Sequence, residues 1–186
     1  MTSTHLLFRH EAGRIPDILT SLDGSTTRFL AALLGKQLKA RVVLQARRPA
    51  AGTVSPAVRA RLHAATDDTV LLRRSQLILV ETGTVISANK VVLDPGHPLM
   101  ADIDLGTDIP IGYLLSEVEQ RRELLHRGVR PWSWGAPDPF STARPSLWCS
   151  YLIINSGRPL CSIEEVFHPD VVAPPTALPR CDRLGS

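Results

Sequence analysis

The sequence predicts a single α+β domain: a roughly six-stranded, mainly antiparallel sheet with helices covering one face. Two hairpin signals and one isolated alternating strand carry that expectation, with helix signals placed mostly ahead of and between them. Thr69 to Val80 and Thr84 to Leu93 are β-rich runs joined by Glu81-Thr82-Gly83, and Leu147 to Ile154 and Pro159 to His168 are joined by Asn155-Ser156-Gly157-Arg158. Between Leu38 and Gln45 the apolar residues Leu38, Ala40, Val42 and Leu44 recur with the period of two that marks a half-buried strand.

The remaining elements follow in chain order. Ile15 to Leu22 has helical apolar spacing before Asp23-Gly24, and Ser25 or Thr26 can cap a helix that runs through Leu34 and stops at Gly35. Arg47 to Thr53, with Pro49 and Gly52, reads as a loop, and Ser55-Pro56 starts a short helix to about His63. After Asp94-Pro95-Gly96-His97-Pro98 and a polar loop holding Asp102, Asp104 and Asp108, Pro110 to Ser116 reads as a short helix and Val118 to Arg127 as a strand ending at Gly128. Arg130 to Pro145 carries four prolines with Trp132 and Trp134 and reads as a long irregular loop, a lid or docking surface. From Pro169 onward the prolines predict an extended or disordered tail.

Composition narrows the function classes. With 186 residues, 44% hydrophobic and 21% charged, the chain suits one domain spanning 1–186, with a core at about 24–169 and a Pro-rich tail at 170–186. No apolar run is long enough to span a membrane and no secretory leader is evident, so the expectation is a cytoplasmic protein without a membrane partner. Cys149, Cys161 and Cys181 cannot all pair and lack metal-ligand spacing. The net charge of +3 invites nucleic acid, but the arginines are spread along the chain and no basic run exceeds two residues, so no nucleic-acid partner is expected. Guanidinium groups suit a small acidic ligand equally well. His63, His97, His126 and His168 are scattered, and there is no P-loop, dinucleotide fingerprint or nucleophile elbow; the expectation is no metal and no cofactor.

Strand parity then singles out charges. In the last strand Cys161, Ile163, Glu165 and Phe167 share a face, which sets Glu165 among apolar neighbours, with Glu164 pointing away. In the first strand of the central hairpin Leu72, Arg74, Gln76 and Ile78 share a face, making Arg74 the matching inward cation if the helices cover that side. Arg122 is a second inward candidate, with Arg121 its outward alternative. A buried charge is costly unless paired, so Arg74 and Glu165 read either as a ligand pocket or as a structural ion pair. Trp132, Trp134 and Trp148 can stack a ligand or simply pack the loop onto the sheet.

Several segments resemble the chorismate pyruvate-lyase family, the 4-hydroxybenzoate synthases that share a fold with effector-binding domains of certain transcriptional regulators. Gly24-Ser25-Thr26-Thr27-Arg28-Phe29 is similar to its early helix start, Leu71 to Leu77 to its arginine-bearing strand, and Ile109-Pro110-Ile111-Gly112-Tyr113-Leu114 to its Pro-Leu-Gly helix. Ser156-Gly157-Arg158-Pro159-Leu160 and Glu165-Val166-Phe167-His168-Pro169 resemble the two elements of its terminal hairpin. The resemblance implies helical lids over an internal pocket and cofactor-free conversion of chorismate to 4-hydroxybenzoate and pyruvate. It places the carboxylate-binding arginine on Arg74, the essential glutamate on Glu165, a further arginine on Arg122 with Arg121 the alternative across a one-residue gap, backbone contacts at Gly112 and a lid residue at Thr26. Two rival readings accompany it: a relative acting on another substrate, and a ligand sensor of the same fold, although the residues ahead of Gly24 look too few for a DNA-binding domain.

Overall fold

The computed structural model describes residues 15–21, 25–101, 108–115, 121–134 and 143–174. Six strands form one sheet: β1 (Leu38–Pro49), β2 (Thr69–Leu79), β3 (Val85–Leu93), β4 (Arg121–Trp132), β5 (Arg144–Asn155) and β6 (Arg158–Phe167). Their order is β1-β2-β3-β6-β5-β4 and every neighbouring pair is antiparallel, the α+β architecture expected. Both sequence hairpins form. In the second, Ser156 and Gly157 both have positive φ (48° and 77°), the two-residue turn whose twist matches that of the strands it joins. The long-range step is β3 against β6, which brings the two hairpins edge to edge and sets their side-chain rows in register.

Among the described residues four helices accompany the sheet: α1 (Ile15–Ser21), α2 (Thr26–Leu34), α3 (Pro56–Arg61) and α4 (Ile111–Leu114), with a 3₁₀ turn at Pro98–Ala101. Ser25 caps α2, its hydroxyl accepting from Arg28 N at 3.3 Å, and Ser55 caps α3 from Val58 N in the same way. Leu19 of α1 and Leu30 of α2 are fully buried against Val91, Cys161, Ile163 and Phe167, so this larger core fills one face of the sheet. A smaller cluster on the other face joins Val70, Leu72, Val92 and Leu152 to Ala50 and Val54, with Val58 of α3 packed on it. Among the described residues no helix is long and apolar enough to cross a membrane.

Three sequence expectations change. β1 continues through the expected loop to Pro49, and β4 runs past Gly128 to Trp132, so Arg130 and Trp132 are ladder residues rather than loop. The prolines permit this because Pro131 lies on an edge strand and its partner Pro145 lies beyond the last β5–β6 pair at Trp148, where no ladder N–H is required of it. Third, the start of the tail is ordered: Val172 is fully buried in the main core and its N–H bonds His168 O at 2.9 Å. Asp102, Asp104, Ser116, Val118, Pro137, Pro139, Cys181 and the tail from 175 lie outside the described residues.

Candidate functional site

Register decides which side chains meet. Across four strands Cys149 of β5, Glu165 of β6, Asn89 of β3 and Ser75 of β2 stand directly opposite one another, a polar row on the face that α1 and α2 cover. Thr26 and Thr27 at the start of α2, Gly112 and Leu115 at α4, and Tyr151, Ile153 and Ile163 from the sheet close a chamber around it of about 50 Å³.

Glu165 is 4% exposed, and its carboxylate is fully engaged. Ser87 Oγ donates to Oε1 at 3.0 Å, with Asn89 Nδ2 donating in turn to Ser87 Oγ at 3.2 Å, and Tyr151 OH donates to Oε2 at 3.3 Å. Burial pushes this carboxyl above its ordinary value, against the opposing pull of the Arg122 charge and of the hydrogen bonds from Ser87, Tyr151 and Thr26. Tyr151 is raised well above a normal phenol by burial and by the Glu165 charge, and Cys149 is pushed up to about 12 by burial and that same charge. The cysteine is therefore a neutral thiol and no nucleophile at neutral pH.

Arg122 is the cation beside Tyr151 and Cys149 on this face. Its guanidinium lies 3.5 Å above the centre of the Tyr151 ring, donates to Thr26 Oγ1 at 3.0 Å and reaches Cys149 Sγ at 3.6 Å. Its Nε is buried and meets no hydrogen-bond partner among the described residues. No direct ion pair joins it to Glu165 among the described residues; Thr26 and Tyr151 touch both. The guanidinium thus keeps an unused N–H donor.

The lid is held by a residue that sequence reasoning passed over. Arg73, 1% exposed, donates from NH2 to Ile109 O at 3.1 Å, while Ala40 N of edge strand β1 donates to Asp108 O at 2.7 Å. These two bonds moor the segment that leads into α4. There Gly112 rests on the start of α2: a Cβ at that position would lie 2.6 Å from Ser25 Oγ and 2.8 Å from Thr27 Oγ1, so only glycine permits the contact.

The sequence-predicted residues divide accordingly. Glu165, Thr26 and Gly112 line one chamber, Arg122 stands behind its wall as the donor to Thr26 Oγ1, and Arg121 points outward with its side chain 73% exposed. Arg74 does not join them. It is exposed on the opposite face, opposite Lys90, which is opposite Glu164. The expectation of a shared Arg74–Glu165 pocket fails because β2 carries apolar residues on both faces, Leu72 and Ile78 on one and Leu71 and Leu77 on the other. Parity separates Arg73 from Arg74 without saying which of them faces Glu165. Tyr151, Ser87 and Asn89 were also missed; each shares a face with apolar neighbours on its own strand, the signal used for Glu165. Among the described residues no group of three His, Cys, Asp or Glu side chains could hold a metal ion.

Comparison with known proteins gives the fold its context. A search of curated proteins returned no match. Among solved structures, the effector domain of PhnF from Mycobacterium smegmatis matches with a TM-score of 0.57 at 12% identity, over 79% of this chain and 90% of that one. The gene product SA0254 of Staphylococcus aureus matches with a TM-score of 0.55 at 17% identity, over 72% and 85%. The ligand-binding domain of a protein assigned to the GntR-family transcriptional regulators of Bordetella bronchiseptica matches with a TM-score of 0.54 at 16% identity, over 77% and 91%. At these identities the likeness is one of fold alone. Residues 19–173 also match the model of the family described as chorismate pyruvate-lyase Rv2949c-like.

Proposed function

The chain belongs to the Rv2949c-like chorismate pyruvate-lyase family, and from that membership, with the geometry above, we propose that it converts chorismate to 4-hydroxybenzoate and pyruvate. The observation that carries the reading is a family match over most of the chain whose span encloses a buried carboxyl beside a buried arginine with an unengaged donor.

In this reading Arg122 receives a carboxylate of the substrate dianion, the clamp that the sequence assigned to Arg74. Glu165, its neutral form favoured by burial, donates its proton to the enolpyruvyl group as the ring–oxygen bond breaks and the electron pair leaves with that group. The hydrogen on the neighbouring hydroxyl-bearing ring carbon departs as a proton to the Glu165 carboxylate, its electrons completing the aromatic ring, so Glu165 ends as it began. Tyr151 and Ser87 orient the carboxyl, and Thr26 stands over both charges. No redox step occurs, and aromatisation supplies the driving force.

A chamber of about 50 Å³ has room for only a few waters, less than a substituted six-membered ring needs. The substrate therefore enters by displacing α4 from its seat at Ser25 and Thr27, with Arg73 as the mooring about which the lid moves. Slow lid opening predicts slow product release and inhibition by 4-hydroxybenzoate.

A second reading is favoured by the structural neighbours, among them an effector domain and a ligand-binding domain: the pocket senses an aromatic acid without transforming it. One experiment separates the two. Purified protein is incubated with chorismate and the products are identified by chromatography. Pyruvate with 4-hydroxybenzoate supports the lyase, another hydroxybenzoate isomer identifies an altered enzyme of the same fold, and unchanged chorismate together with 4-hydroxybenzoate binding supports the sensor.

A further inference from the structure

The face of the sheet away from Glu165 carries a groove of about 430 Å³, within the range of roughly 300–1,000 Å³ typical of small-ligand sites, that the lyase chemistry leaves unused. Ala88 and Val166 supply apolar surface and Trp132 an aromatic wall, while Arg74, Lys90 and Arg130 share the groove with one carboxylate, Glu164. That carboxylate is committed to Lys90 Nζ at 3.0 Å and lies 3.9 Å from Arg130 NH1, at the limit of an ion pair. Arg74 forms no ion pair among the described residues. Positive charge is in surplus.

Two buried atoms sharpen the picture. Arg130 Nε and Ser150 Oγ have no hydrogen-bond partner among the described residues, and both side chains line an adjoining cleft of about 200 Å³ that shares Glu164 with the groove. Ser150 is only 6% exposed, and it stands directly opposite Glu164 in the sheet. The Arg130 guanidinium lies 5.0 Å from the centre of the Trp132 ring and 4.9 Å from that of Trp148, so aromatic surface holds it as well as the distant Glu164 carboxylate. A buried polar atom without a partner is costly, and a ligand oxygen reaching either one would recover that cost. An unpartnered guanidinium N–H and an unpartnered hydroxyl lining one cleft call for an acceptor, surplus cations call for an anionic one, and the indole rings call for a flat apolar body.

We infer that this groove and the adjoining cleft form a second ligand site, for a planar carboxylate: an aromatic or unsaturated acid whose carboxylate bonds Arg130 and Ser150 in the cleft while its body lies along Trp132 in the groove. Arg74 and Lys90 contribute electrostatic attraction from the open side. Nothing in the inference depends on the lyase chemistry.

The test titrates benzoate into the full chain and follows the indole N–H resonances of Trp132 and Trp148, with the Tyr151 ring signals reporting the enclosed chamber separately. Saturable shifts of both indoles are expected. Arg130→Lys, which keeps the charge but removes Nε, should weaken that titration at least tenfold. Ser150→Ala should weaken it several-fold and Arg74→Ala a few-fold with steeper loss at high salt, all leaving the Tyr151 titration unchanged. Indoles that do not shift, or that shift with equal affinity in Arg130→Lys and Ser150→Ala, overturn the site. So does a dimer in sedimentation equilibrium that Arg130→Lys dissociates, since the face would then belong to a second copy of the chain.

Discussion

The two faces of the sheet put nearly the same residue types to opposite use. On the helix side the row Cys149–Glu165–Asn89–Ser75 is buried but for the half-buried Asn89, and its carboxyl is held toward the neutral form. One residue along each strand, the row Ser150–Glu164–Lys90–Arg74 crosses the other face, where Glu164 pairs with Lys90 and its side chain is 37% exposed. Neighbours in sequence, Glu164 with Glu165 and Arg73 with Arg74, therefore live about one sheet thickness apart and under different electrostatics. What separates a buried carboxyl held toward its neutral form from a salt bridge here is the covering of one face by α1, α2 and α4, because desolvation acts on a charge only where water is excluded.

The sharpest way to break this comparison is to neutralise each glutamate in turn. Glu165→Gln should lower the rate of pyruvate release from chorismate by about 100-fold or more, the usual scale of a general acid, while Glu164→Gln should stay within about twofold. Equal losses would mean that covering the face confers nothing on Glu165. The arginines give the next largest effect. Arg122→Gln should weaken 4-hydroxybenzoate binding by about 10- to 100-fold in calorimetry, the worth of a hydrogen bond to a charged group, whereas Arg74→Gln should leave binding in the enclosed chamber unaltered.

The arginines also show where the sequence stops being legible. Glu165 could be found because its strand mates Cys161, Ile163 and Phe167 are uniformly apolar, and Arg122 because the alternative at Arg121 sits on the other parity. Strands and hairpins were legible for the same reason, since a period of two and a pair of turn residues are local facts. The choice between Arg73 and Arg74 is not local. It depends on the β2–β3–β6 register, which brings Ser75 rather than Arg74 into line with Glu165. The ladder at Arg130–Trp132 was hidden by its prolines: Pro131 is tolerated because β4 is an edge and Pro145 because it lies beyond the last β5–β6 pair, both properties of the whole sheet. Arg73 as a mooring for the lid could not be read at all, because its acceptor is a backbone carbonyl at Ile109.

A smaller effect probes the lid. Gly112→Ala places a methyl group where Ser25 and Thr27 hydroxyls already sit, an overpacking worth about 1–3 kcal/mol that α4 can relieve by lifting away. The expected result is weaker product inhibition and a raised KM in steady-state assays, with little loss of kcat, since neither Arg122 nor Glu165 moves. The equivalent substitution on the uncovered face, Ala88→Ser, should change neither constant. A Gly112→Ala enzyme with unchanged KM and unchanged inhibition by 4-hydroxybenzoate would show that α4 does not gate the chamber.

The smallest effect is a slope. Because burial raises the Glu165 carboxyl above its ordinary value of 4.5, the folded chain holds that proton at pH values where the unfolded chain has lost it. The contribution of Glu165 to stability is therefore fully present below the unfolded value and diminishes as pH rises through the folded one, after which it is constant. Gln at 165 has no proton to lose. Urea midpoints measured from about pH 4.5 upward should fall in the wild-type chain relative to Glu165→Gln, and the gap should stop widening once the buried carboxyl has ionised. A gap that stays flat across the range, or that opens in favour of the wild type, would mean that Arg122 and the hydrogen bonds from Ser87 and Tyr151 outweigh desolvation. The carboxyl would then be an anion at rest, and the proton for ether cleavage would have to come from elsewhere.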